Sequence, residues 1–176
     1  MKKLSCALVL TLVATSLLSA QSIKKDRLVY EWKNMKNMVV NSAKAMPEEH
    51  YGLVAAEGLR SFEDQIKHIT TSNRFFLAIL TQQDKEEVNA KNKNTLENVK
   101  GKDAVISDLE QSFDYVIAKI PTITNFDEEF DMFGQKLTRT EALMQTEHHL
   151  QREQGKVTIY MRMKGIEPAK STSWLN

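Results

Sequence analysis

His149 and Glu153 stand four residues apart in the run TEHHLQREQGKVTIYMRMKGIEP. On a helix that spacing stacks two side chains on one face, about 5–6 Å apart at Cβ, close enough to share one ion. A lone His68 lies far upstream in RSFEDQIKHI. Two imidazoles and one carboxylate on separate rigid helices leave coordination positions open for water or substrate, as catalytic rather than structural metal sites do. Zn²⁺, Ni²⁺ or Fe²⁺ would all suit these donors. A single His-x-x-x-Glu pair also arises by chance on exposed helix faces, and a solitary histidine is more often a hydrogen-bonded or surface residue. Chemistry therefore depends on helices that bring the two segments together.

Four amphipathic stretches can do this. From Ser22 to Met46, residues Leu28, Trp32, Met35, Val39 and Met46 fall on one helical seam, which Pro47 ends. A second helix opens at Ser61, with Phe62, Ile66, Ile69, Phe76 and Leu80 on its seam and Asn73 at the vacant seam position. His68 lies beside this seam, next to Ser72 and Phe75. Residues 82–102 are almost wholly polar and read as a long solvated connection. Asp103 is expected to cap a third helix, with Ile106, Leu109, Phe113, Val116 and Ile120 as its stripe and Pro121 as its stop. A second long connection holds Phe126, Phe130, Met132 and Phe133, which predicts an arm laid over the helices and partly buried. Thr138 and Glu141 have capping-box spacing and start the fourth helix, whose seam is Leu143, Leu150, Val157 and Met161. No strand-like alternation of useful length appears. The fold class is therefore all-α, a four-helix bundle with long connections between helices 2 and 3 and between helices 3 and 4.

The ends and the composition bound the function. Residues 1–20 carry Lys2 and Lys3, an apolar run from Ala7 to Leu18, then Ser19 and Ala20, the layout of a secretory signal peptide cleaved after Ala20. That run is too short for a membrane-spanning helix, which needs roughly 20 apolar residues. The mature chain, 21–176, is then expected in the periplasm or secreted, without a membrane span. Cleavage removes Cys6, the only cysteine, so disulfides and thiol catalysis by the protein itself are excluded. It leaves 22 basic against 23 acidic side chains, a net charge of −1. A near-neutral chain without a basic stripe has little pull on a phosphate backbone, so nucleic acid is not an expected partner. A length near 150 residues is ordinary for one hydrophobic core and one domain.

Two segments carry a family resemblance. MPEEHYGLVAAEGLRSFEDQIKHITTSNRFFLAIL, residues 46–80, resembles the DinB-like pattern in which a proline–acidic–tyrosine segment leads through an Arg-Ser-Phe turn into the helix bearing the first ligand histidine. EHHLQREQGKVTIYMRMKGIEPAKS resembles that family's last helix, where two histidines four apart precede a glycine and a Tyr-Leu-Arg-x-x-Gly-Ile-x-Pro run. The resemblance implies a four-helix bundle of DinB-like type with a three-histidine divalent-metal site. It also implies an activity such as thiol-dependent transfer or isomerisation, although many members have no assigned reaction. Position by position, the ligands fall on His68 and His149, while the third place holds Glu153. A carboxylate adds negative charge and makes the bound ion a weaker Lewis acid.

Three arrangements follow, in this order: a two-histidine, one-glutamate site, a site completed by His148, and a degenerate pocket without metal. His148 points about 100° away from His149 around the helix, which makes shared ligation awkward. Gly155 costs roughly 1 kcal/mol within a helix relative to alanine, so either a neighbouring helix approaches closely or the position is simply tolerated. Tyr160 is read as a core residue with a polar tip, Arg162 as a helix-end cation, and the methionines at 35, 38, 46, 144, 161 and 163 as core filling. The expected function is a metal-dependent transferase or hydrolase acting on a small molecule. The alternative is a non-catalytic envelope bundle acting through protein contacts, a homodimer included.

Overall fold

The computed structural model describes residues 25–83 and 85–171, so the expected leader at 1–20 lies outside the described residues. Five helices and one hairpin make up the described chain. Helix α1 covers 25–45, and its seam packs as its spacing predicts, with Trp32, Val39, Ala43 and Met46 buried. Trp32 meets Phe113 edge-on at 6.0 Å, which ties α1 to the helix bearing Phe113. Pro47 and a 3-10 turn at Glu48–His50 end this helix. The buried Tyr51 hydroxyl then donates to the Ala43 carbonyl at 2.8 Å and folds the following loop back.

Helix α2, Phe62–Thr81, is capped by Ser61, whose hydroxyl accepts from the Asp64 amide, and it ends at Gln82 in a left-handed conformation. It is the central element, packed on α4 (Lys102–Lys119) and α5 (Arg139–Met163). Phe62, Ile66 and Ile69 join Leu109, Phe113, Val157 and the α1 residues in one core. The polar seam position is satisfied from inside: Asn73 donates to the Ser112 hydroxyl at 3.1 Å. Helix α4 begins one residue before the expected cap. Gly101, with φ of 80°, is its N-cap, and Asp103 sits in the first turn, where its charge favours the helix N-terminus.

Two connections differ from the sequence expectation. Residues 82–102 are not an extended solvated link, because α3 runs from Lys85 to Asn98. It buries only Val88 and Thr95. A charged cluster does the docking: the Arg74 guanidinium of α2 binds the Asp108 carboxylate of α4, and the Thr95 hydroxyl joins both, 2.7 Å from Arg74 Nη1 and 2.6 Å from Asp108 Oδ2. Asn92 adds a hydrogen bond to the Thr71 carbonyl at 3.1 Å. An apolar period cannot report a helix held this way.

The second connection is the partly buried arm that its aromatics predict, but it contains strands. β1 (Glu129–Met132) and β2 (Gln135–Thr138) pair antiparallel, with Glu129 opposite Thr138 and Met132 opposite Gln135. Beneath them Phe126, Met132, Leu80 and Leu143 form a second, smaller core. Arg139 clamps the base of the arm, donating to the Leu80 carbonyl and to Glu128 Oε2 at 3.0 Å. Thr138 and Glu141 form the predicted capping box at the start of α5. The architecture is all-α with this small hairpin added. No helix among the described residues is long and apolar enough to cross a membrane.

Candidate metal centre

Helices α2 and α5 lie against each other, and their facing flanks bring His68, His149 and Glu153 together. One donor atom from each lies within 4.8 Å of the other two. The two imidazoles meet edge-on with centroids 5.2 Å apart, and His68 Nε2 is 3.8 Å from Glu153 Oε2. Glu153 is buried, its side chain 2% exposed, while both histidines are half-buried. His148 is exposed and outside this cluster, so it does not complete the triad.

The protonation states are those a metal requires. Burial and the Arg60 charge lower His68 to about 4, against a partial opposing pull from Glu153. Burial likewise lowers His149. Arg152 Nη2 approaches His149 Nδ1 at 3.0 Å. A guanidinium can only donate, so Nδ1 accepts and Nε2 carries the proton, directed at the Ser72 hydroxyl 3.2 Å away. At Glu153, burial pushes the carboxyl up, but hydrogen bonds from Lys156 and Gln65 and the Lys156 charge outweigh it and bring the group down to about 2. Two neutral imidazoles and an ionised carboxylate thus face one another at neutral pH.

The sequence reading passed over the groups that hold Glu153. Gln65 Nε2 donates to Oε2 at 2.8 Å, and Lys156 Nζ lies 2.7 Å from the same oxygen and 3.0 Å from Oε1. Gln65 is one helical turn before His68, and Lys156 one turn after Glu153, so their spacing was available as a signal. A tetrahedral ion held at about 2.0–2.2 Å keeps its donors roughly 3.3–3.6 Å apart, so the widest pair must close by about an ångström. Ligation would also displace the Lys156 ammonium from Glu153 and the Arg152 guanidinium from His149, because Nδ1 either gives its lone pair to the ion or takes the proton that Nε2 gives up. With those side-chain adjustments, the donor set suits a borderline divalent cation.

The neighbouring residues behave variously. Tyr160 is buried and donates to the Arg60 carbonyl, as a core residue with a polar tip should. Gly155 has open space where a Cβ would stand, so no close helix approach explains it and the position is simply tolerated. Arg162 pairs with Glu167 at 3.6 Å near the end of α5. Met46 and Met161 fill the core, but Met144 and Met163 are about half exposed and do not.

No curated protein matches the chain. The fold is similar to that of a DinB-like protein from Bacillus subtilis, with a TM-score of 0.65 and 21% identity over 84% of this chain and 96% of that one. It is also similar to a DinB-like protein from Bacillus cereus, with a TM-score of 0.68 and 15% identity over 81% of this chain and 94% of that one. The sequence profile of the DinB family matches residues 20–175, so the chain belongs to the DinB family.

Proposed function

We propose that this chain is an exported DinB-family protein that holds a divalent cation at His68, His149 and Glu153 and catalyses a metal-dependent transfer or hydrolysis on a small molecule. The observation that carries this reading is the convergence of the three donors on two packed helices, with both imidazoles held neutral and the carboxylate ionised. A bound Zn²⁺, Ni²⁺ or Fe²⁺ would supply Lewis acidity to a coordinated water or thiolate. The chain's own residues do the rest. Gln65 fixes the Glu153 carboxylate, Ser72 accepts from His149 Nε2 when Nδ1 is the ligating nitrogen, and α2 and α5 hold the two histidines in place.

Elemental analysis of the purified mature protein tests this reading. Wild type is expected to hold about one divalent ion per chain, lost in both His68→Ala and His149→Ala. Absence of stoichiometric metal, or metal indifferent to both changes, defeats it. One observation favours a second reading, a non-catalytic envelope bundle that works through protein contacts: Lys156 and Gln65 already satisfy Glu153 without any ion. In that case Lys156→Met, which removes the competing ammonium, still yields a protein that takes up no metal.

A further inference from the structure

The tip of the hairpin is built against its own backbone preference. Phe133 and Gly134 occupy the two turn positions with φ of 58° and 79°. A two-residue hairpin turn with both φ positive favours Asn-Gly, and a bulky aromatic at the first position is strained. Phe133 is 69% exposed, so burial in the core does not offset that strain. Its ring instead lies stacked on Phe75 of α2, with centroids 5.9 Å apart and planes at 22°. Strain held at an exposed aromatic points to a use for the side chain.

Beside that ring, between the hairpin and α5, runs a cleft of about 330 Å³. Phe76, Phe133 and Leu137 supply apolar wall, and Gln145, His149 and Arg152 supply the polar side. The His149 imidazole in this wall is the one that meets His68 and Glu153, so the cleft is an approach to the triad. Arg152 is the charged residue of the lining, and Arg60 and Lys156 act on the same imidazoles. Arg60 and Lys156 line the cleft on the other flank of the triad, so the positive charge on this wall comes from Arg152. Among the described residues, two Arg152 N–H groups are engaged, with His149 and Glu153, of the five that a guanidinium carries.

We propose that this cleft binds a small carboxylate with an aromatic or branched aliphatic tail, its anionic group at Arg152 and its tail between Phe76 and Phe133. Phe133 is then a specificity-determining residue. As a statement about substrate this rests on the metal-centre reading, whereas the binding itself does not.

2-Naphthoate, followed by its own fluorescence, is the probe, with 2-naphthylmethylamine as the comparator of opposite charge, each titrated against metal-supplemented and chelator-treated protein. Naphthoate should bind at least tenfold more tightly than the amine, and Phe133→Asn and Arg152→Gln should each weaken it at least fivefold. Phe133→Asn should at the same time raise the melting temperature, since Asn-Gly suits the turn; a purely structural Phe133 would give the opposite. Naphthoate binding with these losses, in protein that takes up no metal even when supplemented, supports the cleft while removing the metal reading. Equal affinity for acid and amine, or wild-type naphthoate affinity in Phe133→Asn, overturns the proposal.

Discussion

Helix α2 carries two buried charged clusters less than two turns apart, and they are built to opposite ends. At Arg74 the guanidinium, the Asp108 carboxylate and the Thr95 hydroxyl satisfy one another, joining three helices. At His68 the cluster has one buried carboxylate, two imidazoles kept neutral by burial, and two partly exposed cations, Arg152 and Lys156, that reach Glu153 from the outside. Clefts adjoin it on both flanks, one past His149 and Arg152, the other past Gln65 and Lys156. The first arrangement pairs its one cation with its one carboxylate and so fixes helix positions. The second keeps lone pairs and solvent access, which a reactive centre needs. Charge burial alone therefore does not mark a functional site; unsaturated geometry beside a cavity does.

The largest effect should come from breaking the closed cluster. Arg74→Ala leaves the Asp108 carboxylate without its buried partner, a loss of about 3–5 kcal/mol in stability. Glu153→Gln at the open cluster should cost only about 1–2 kcal/mol, because the freed Lys156 ammonium can reach water. Urea denaturation of the two metal-free variants measures both. Equal losses would erase the contrast between the clusters. Replacing Arg74 and Asp108 together by Met and Leu should recover most of the loss, since a well-packed apolar pair often stands in for a buried ion pair.

What was legible in the sequence follows the same division. Apolar seams placed α1, α2, α4 and α5, because those helices bury one stripe against the shared core. The capping box at Thr138 was readable from its spacing, and so was a seam polar residue at Asn73. The meeting of His68, His149 and Glu153 was readable too, since helical spacing puts the last two on one face and the DinB resemblance sets the first against them. Helix α3 was not, because a hydroxyl and an amide dock it where a period search expects leucines. The hairpin was hidden as well: its strands have four residues each, too few to show alternation, and its Phe133-Gly134 turn lacks the Asn-Gly signature. Gln65 and Lys156 were in register with the ligands but have no chemistry of their own to attract notice.

Acid titration sharpens the contrast from the open side. For a chelator-treated sample, the unfolded chain takes a proton at His68 near 6.5, while the folded chain resists until about 4. Stability present above pH 6.5 is therefore lost as pH falls from 6.5 to 4. Glu153 adds a second loss, from its ordinary 4.5 down to about 2, because its folded carboxylate stays ionised longer than the unfolded one. The His68 contribution should be about 1–2 kcal/mol after discounting for partial solvent access. His68→Gln removes that titration and should flatten the upper part of the curve while leaving the lower part. An unchanged slope between pH 6.5 and 4 in this variant would show that His68 is not held neutral by the fold.

The smallest expected effect isolates what the closed cluster does for α3. Thr95→Val keeps the shape but removes the hydroxyl that joins Arg74 to Asp108, and global stability should fall by only about 1 kcal/mol, since the ion pair itself survives. The local consequence should exceed the global one. With Val88 as its only buried apolar residue, α3 has little else to hold it, so its amides should exchange with solvent through a local opening while α2 and α4 stay protected. Hydrogen exchange read along Lys85–Asn98 gives the answer directly. Protection of α3 at the wild-type level would mean that Val88 and Asn92 suffice to dock the helix, and that the hydroxyl bridging Arg74 and Asp108 serves α2 and α4 alone.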